Sequence, residues 1–153
     1  MQFIKIFFIF CYILILNSCM APVPLAEKKD DIYAKLFTVE NKKSNIYIFM
    51  SETYGGSLSD PLKTPIFFDS KNIGEITGKT YFKITTNPGT HHIVTLSEVP
   101  AGITIHTQAN RNYFVWQKIK MGVFNARVQF HLVSSEKGMK EIFHCKLIKH
   151  INK

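Results

Sequence analysis

Three hydropathy patterns follow one another along the chain. Residues 6–16 form a continuous apolar run, preceded by Lys5 and closed by Asn17 and Ser18. Across residues 45–134 apolar and polar positions alternate, and residues 134–150 return to a spacing of three to four. Alternation predicts strands with one inward face, whereas the longer period predicts an amphipathic helix.

The alternating region divides into seven predicted strands at residues 45–51, 65–69, 79–85, 91–97, 103–109, 112–121 and 126–134, all rich in β-branched and aromatic residues. Seven short strands at near-regular spacing predict a mainly β fold, an antiparallel β-sandwich of immunoglobulin- or transthyretin-like type. The breaks carry matching turn chemistry. Asn87-Pro88-Gly89 suits a type II turn, with Pro fixing φ and Gly taking positive φ, and Asn110 tolerates the left-handed region. "DDIYAKLFTVE" at residues 30–40 predicts a short N-terminal helix capped by Asp30 or Asp31, with Ile32, Leu36 and Val39 on one face. "SSEKGMKEIFHCKLIKH" predicts a C-terminal amphipathic helix through His150, capped by Ser134 or Ser135, in which Gly138 is a weak point worth about 1 kcal/mol.

The first run is too short to span a bilayer. At about 1.5 Å per residue, residues 6–16 fall well short of roughly 30 Å of hydrocarbon, so they read as the core of a cleavable signal. The run ends in "LNSC", which resembles the lipobox of bacterial lipoproteins. That resemblance implies cleavage between Ser18 and Cys19, a diacylglyceryl thioether on Cys19 and an acylated new amino terminus. A thiolate is the side chain nucleophilic enough to take the lipid. Residues 19–31, with two prolines and a charged end, then read as an extended tether, and residues 32–153 as one domain. Met20, rather than Asp, after the modified cysteine implies the outer membrane by the same resemblance.

With residues 1–18 removed, Cys145 is the one thiol left after Cys19, and no intramolecular disulfide is available. The formal net charge of +8 is spread over scattered lysines. It suits an anionic neighbour such as a headgroup or cell-envelope polymer, or an envelope protein, and export argues against nucleic acid.

The strings "PIFFDSKNIGEITGKTYFKI", "NPGTHHI" and "NYFVWQKIKMGVF" resemble, in order and spacing, a family of bacterial lipoproteins catalogued as DUF2846, a domain of unknown function. The likeness covers residues 34–138. Carried over, Asp69, Lys71 and Gly74 fill a hairpin motif, Thr80, Tyr81 and Phe82 a strand, Pro88, Gly89 and His91 a turn, and Met121, Gly122 and Phe124 a late motif. Ser70 stands where the family has Gly, so Asn72 is expected to take the positive φ of that turn, and Asn110 replaces a second Gly. The resemblance implies a lipid-anchored β-sandwich and no reaction.

Catalytic and metal chemistry find no pattern. The adjacent His91 and His92 point to opposite faces of a strand, His106 and His131 meet only if their strands pair, and His144 and His150 fall on different sides of a helix. No G-x-S-x-G, C-x-x-C or phosphate-binding glycine loop occurs. Asp69 is expected to bond its own turn. No cofactor, metal or catalytic residue is assigned, and the expected role is a non-enzymatic binding or structural module. The competing class is an enzyme or ligand-binding protein for an envelope polymer, its mouth at the Gly55-Gly56 loop and the Asp69 hairpin. Tyr47, Phe49, Phe67, Phe68, Tyr81, Phe82, Tyr113, Phe114 and Trp116 alternate within strands, so about half are expected in the core, and the others either lie beneath the terminal helices or form an outward row with lysines for a sugar or protein edge.

Overall fold

The computed structural model describes residues 23–52, 62–96, 99–121 and 126–150. Helix α1 (Lys28–Ala34) precedes strands β1 (Ser44–Met50), β2 (Thr64–Phe68), β3 (Lys71–Ile76), β4 (Thr80–Thr86), β5 (Gly89–Thr95), β6 (Ala101–Thr107), β7 (Arg111–Met121) and β8 (Ala126–Val133). Helix α2 (Ser135–Phe143) and strand β9 (Lys146–Leu147) follow. One sheet has the order β8-β7-β1-β4-β9 and the other β3-β2-β5-β6.

The two sheets bury a common core. Ile46, Ile48, Phe82, Ile84, Val115 and Ile119 of the larger sheet meet Ile66, Ile73, Ile76, Ile93 and Ile105 of the smaller. On the other face of the larger sheet Tyr47, Phe49, Tyr81 and Phe114 pack beneath Ala34 of α1, Ile142 of α2 and Cys145. Each such ring contributes about 1.5–3 kcal/mol by leaving water. The result is a mainly β sandwich with a layer of helix on one side. Central β1 is covered on both faces and buried at every residue, which is why "IYIFM" is apolar without a break.

Two pairings depart from an all-antiparallel sandwich, since β1 runs parallel to β7 and β4 parallel to β9. Two strands are added to the expected seven. Edge strand β3 turns inward only at Ile73, Gly74 and Ile76, and a register shift opposite Ile66 and Phe67 breaks its alternation, so its sequence carries a weak period. Strand β9 lies inside the expected C-terminal helix. Ser134 does cap α2, its Oγ accepting from Lys137 N–H, but the helix stops at Phe143. Beyond it Lys146 and Ile148 donate backbone hydrogen bonds to Lys79 and Tyr81 carbonyls, so the edge of β4 captures a segment whose apolar spacing imitates a continuing helix.

The N-terminal side also differs. Val23 is buried in the core, Leu25 bridges to Ile148, Ala26 N–H donates to Leu147 and Pro24 C=O accepts from Lys149. Residues 23–27, expected as tether, are thus laid along the end of the chain. Helix α1 begins at Lys28, with Glu27 rather than Asp30 or Asp31 at its N-cap. Ile32 and Leu36 are exposed, and the contact to the sheet is made by Ala34, whose small side chain lets Tyr47 donate its hydroxyl to the Ala34 carbonyl at 2.9 Å.

Candidate functional site

The hairpin and turn motifs meet at one end of the smaller sheet. Asp69 and Ser70 form the β2–β3 turn with φ of +47° and +68°, the conformation a two-residue hairpin turn requires. Ser70 itself therefore takes the positive φ. Asn72 stays in β3, where its Oδ1 accepts from Gly74 N–H at 2.9 Å, and Gly74 takes φ +131°. Asp69 does not bond its own turn. Its Oδ1 accepts from His92 N–H at 2.8 Å and its Oδ2 from His91 Nδ1 at 2.7 Å, which pins the hairpin to β5. Burial alone would raise the Asp69 carboxyl; the hydrogen bonds from the His91 ring and the His92 N–H, with the charges of both rings, outweigh it and hold it below its usual range.

His91 is buried and stacked on Phe68 at 5.1 Å, and its Nε2 bonds the Asn87 carbonyl at 3.0 Å. Both ring nitrogens are taken by protein atoms, so this His–Asp pair offers none to activate a nucleophile. The turn at Asn87-Pro88 carries the chain from one sheet to the other, and Gly89, at φ +155°, donates its N–H to Thr107 Oγ1 at 3.1 Å. Pro88, Gly89, Asp69 and His91 thus share one structural corner, while Lys71 is exposed at the start of β3. Ser18, Cys19, Gly122 and the Gly55-Gly56 loop lie outside the described residues.

The remaining histidines are separated. His92 and His106 bond Thr104 and Thr90 across the β5–β6 pair, His131 lies on β8 of the other sheet, and His144 is exposed at the end of α2. His150 is beyond the helix, its Nε2 donating to the Lys83 carbonyl at 2.7 Å. No group of three or more metal-binding side chains is found among the described residues. Cys145 is buried, and desolvation, reinforced by the Glu141 carboxylate, pushes its thiol up to about 12. It is a protonated core group that points its Sγ at the Glu141 carbonyl, 3.4 Å away.

Aromatic residues divide between both expectations. Tyr47, Phe49, Tyr81 and Phe114 lie under the helices, whereas Trp116, one β-repeat beyond Phe114, emerges at the margin of α2. Strand alternation puts Trp116, Lys118 and Lys120 on this outer face, opposite His131, Gln129 and Arg127 of β8. Lys137 of α2 holds its ammonium 4.1 Å from the indole centroid, and Lys118 holds its own at 5.0 Å. Trp116, Lys118, Lys120, His131, Val133 and Lys137 line an open cleft of ≈ 390 Å³. The indole N–H is buried with no hydrogen-bond partner among the described residues.

Asp31 is the polar centre that the sequence reading missed. One carboxylate oxygen accepts from Leu147 N–H and the Tyr81 hydroxyl, both at 2.9 Å, and the other from Lys35 Nζ at 2.7 Å, while Lys35 also donates to the Cys145 carbonyl at 2.7 Å. The i,i+4 spacing of Asp31 and Lys35 was the visible signal. Its partners on β4 and β9 were not.

Among known proteins, the model of a family described as "Protein of unknown function (DUF2846)" matches residues 40–129. A protein of Haemophilus influenzae, itself described as uncharacterized, is 35% identical over 131 residues, covering 84% of this chain and 75% of that protein. No solved structure matches. The matched region runs from just before β1 into β8 and so contains the sheet-pinning Asp69 corner and the Trp116 strand: the chain belongs to the DUF2846 family.

Proposed function

We propose that the protein is a membrane-anchored bacterial envelope lipoprotein whose domain is a non-catalytic binding or structural module. The observation that carries this reading is "LNSC" at the end of a short apolar run, with Cys19 as the lipidated first residue after cleavage behind Ser18. Two or three acyl chains at about 0.8 kcal/mol per buried CH₂ make such an anchor effectively permanent. No helix of the described residues is long and apolar enough to cross a membrane. Met20 after the cysteine favours the outer membrane. The engaged nitrogens of His91 and the high thiol of Cys145 support a non-catalytic role.

Metabolic labelling with a clickable palmitate analogue tests the anchor. Wild type is expected to carry label and to fractionate with membranes, and Cys19→Ser to lose both. An unlabelled wild-type protein cleaved at another position refutes the reading. The cleft beside Trp116 favours a ligand-binding module over a purely structural one.

A further inference from the structure

We propose that the cleft between Trp116 and α2 is a binding site for a phosphate monoester, either a sugar phosphate or the monoester phosphate of a lipid headgroup. The charge arrangement carries the inference. Lys118 and Lys120 from β7 and Lys137 from α2 converge on one cleft with His131, and Arg127 stands across β8 from Lys120. The cleft lining includes no aspartate or glutamate, and no salt bridge is formed by these cations among the described residues. Ion pairs elsewhere in the fold join Lys35 to Asp31, Lys29 to Glu27 and His91 to Asp69; what sets the cleft apart is that three lysines face one another across it around a single indole. Only the indole face moderates the repulsion here, through contacts at 4.1 and 5.0 Å.

An anion answers that imbalance. A phosphate monoester brings about −1.5 to −2 charges and several acceptor oxygens, whereas one carboxylate would leave most of three ammonium groups uncompensated. Lysine suits phosphate because it acts as a mobile point charge and needs no planar fork. The volume of ≈ 390 Å³ lies in the range of small-ligand sites, and Trp116 and Val133 supply an apolar wall for the body that bears the phosphate. Sheet geometry makes the site durable, since Trp116 and Lys118 stand on a strand paired on both sides.

This site is independent of lipidation, so its test and the labelling test fail separately. Trp116 is the single tryptophan of the chain and reports on the cleft alone. The full chain, solubilised in a neutral detergent, is titrated with glucose 6-phosphate and with glucose while indole emission is followed. In a second arm the chain is reconstituted into phosphatidylcholine vesicles with or without phosphatidic acid, whose headgroup is a phosphate monoester. A saturable change with glucose 6-phosphate but not glucose assigns a sugar phosphate; a change confined to phosphatidic acid vesicles assigns a headgroup. In either case the Lys118→Gln/Lys137→Gln variant, checked for native circular dichroism, is expected to raise the midpoint at least tenfold. Calorimetry on the same titration, which does not depend on indole emission, should show the same shift. No saturable response in both arms, an equal response to glucose, or an unchanged midpoint in the variant overturns the proposal.

Discussion

Single side chains hold more of this molecule than their sequence context suggests. Asp31 serves three donors, from the C-cap of α1, from β4 and from β9, so Asp31→Ala strands the Leu147 N–H, the Tyr81 hydroxyl and the Lys35 ammonium at once. A loss of about 2–3 kcal/mol in urea unfolding is expected, with Asp31→Asn recovering part of it. Asp69 gives an acid-side signature. Its folded value lies below the ordinary one, so its contribution is complete above about pH 4 and disappears as pH falls through the folded value. Asp69→Asn should flatten that part of the stability–pH curve, by a screened amount because the side chain is 41% exposed. Cys145 gives the opposite limb. Its thiol is raised to about 12, so the unfolded chain ionises first and stability falls as pH rises above about 8.5. The buried phenols of Tyr47 and Tyr81, also raised by desolvation, add to that loss, and Cys145→Ser isolates the thiol's share. At neutral pH, alkylation of Cys145 should be slow in the native protein and fast in urea.

At the level of elements, what could be read from sequence was local and what could not was tertiary. Ser134 as a cap and Asn110 at φ +61° follow from the chemistry of those residues alone. The inward rows of β1, β4 and β7 follow from alternation. The parallel partnership of β1 with β7, the capture of residues 146–147 by β4 and the reach of Asp69 to β5 depend on segments distant in sequence, and no local period encodes them. Gly138 shows the difference most sharply. Helix propensity marks it as a position where Ala would gain about 1 kcal/mol. In the fold a Cβ there would fall inside the Phe114 ring, because α2 rests its backbone directly on β7. Gly138→Ala is therefore expected to destabilise by about 1–3 kcal/mol, and a variant more stable than wild type would show that the helix can lift off the sheet.

On the scale of the whole molecule, the docked segment at residues 23–26 and the cleft occupy opposite margins of one sheet. Residues 23–26 lie beside β9, and the cleft lies over β7 and β8 at the far edge, about 20 Å away for strands spaced near 4.8 Å. Under the proposed lipidation of Cys19, the span from Cys19 to the docked Val23 would be at most on the order of 13 Å at about 3.3 Å per residue, shorter than a tether running to residue 31. Lengthening this stretch with Gly-Ser repeats should leave thermal stability unchanged while increasing protease access to the domain in intact vesicles. The docking of residues 23–26 on the chain's other end has a further effect. An open β4 would offer a row of bare backbone donors and acceptors to any extended chain nearby, and the two-residue β9, closed by a segment containing the donor-less Pro24, leaves that row too short to template another strand. Removal of residues 23–26 should accordingly bare the outer edge of residues 147–149 and increase self-association with rising concentration in sedimentation, an intermolecular pairing that the docked segment blocks.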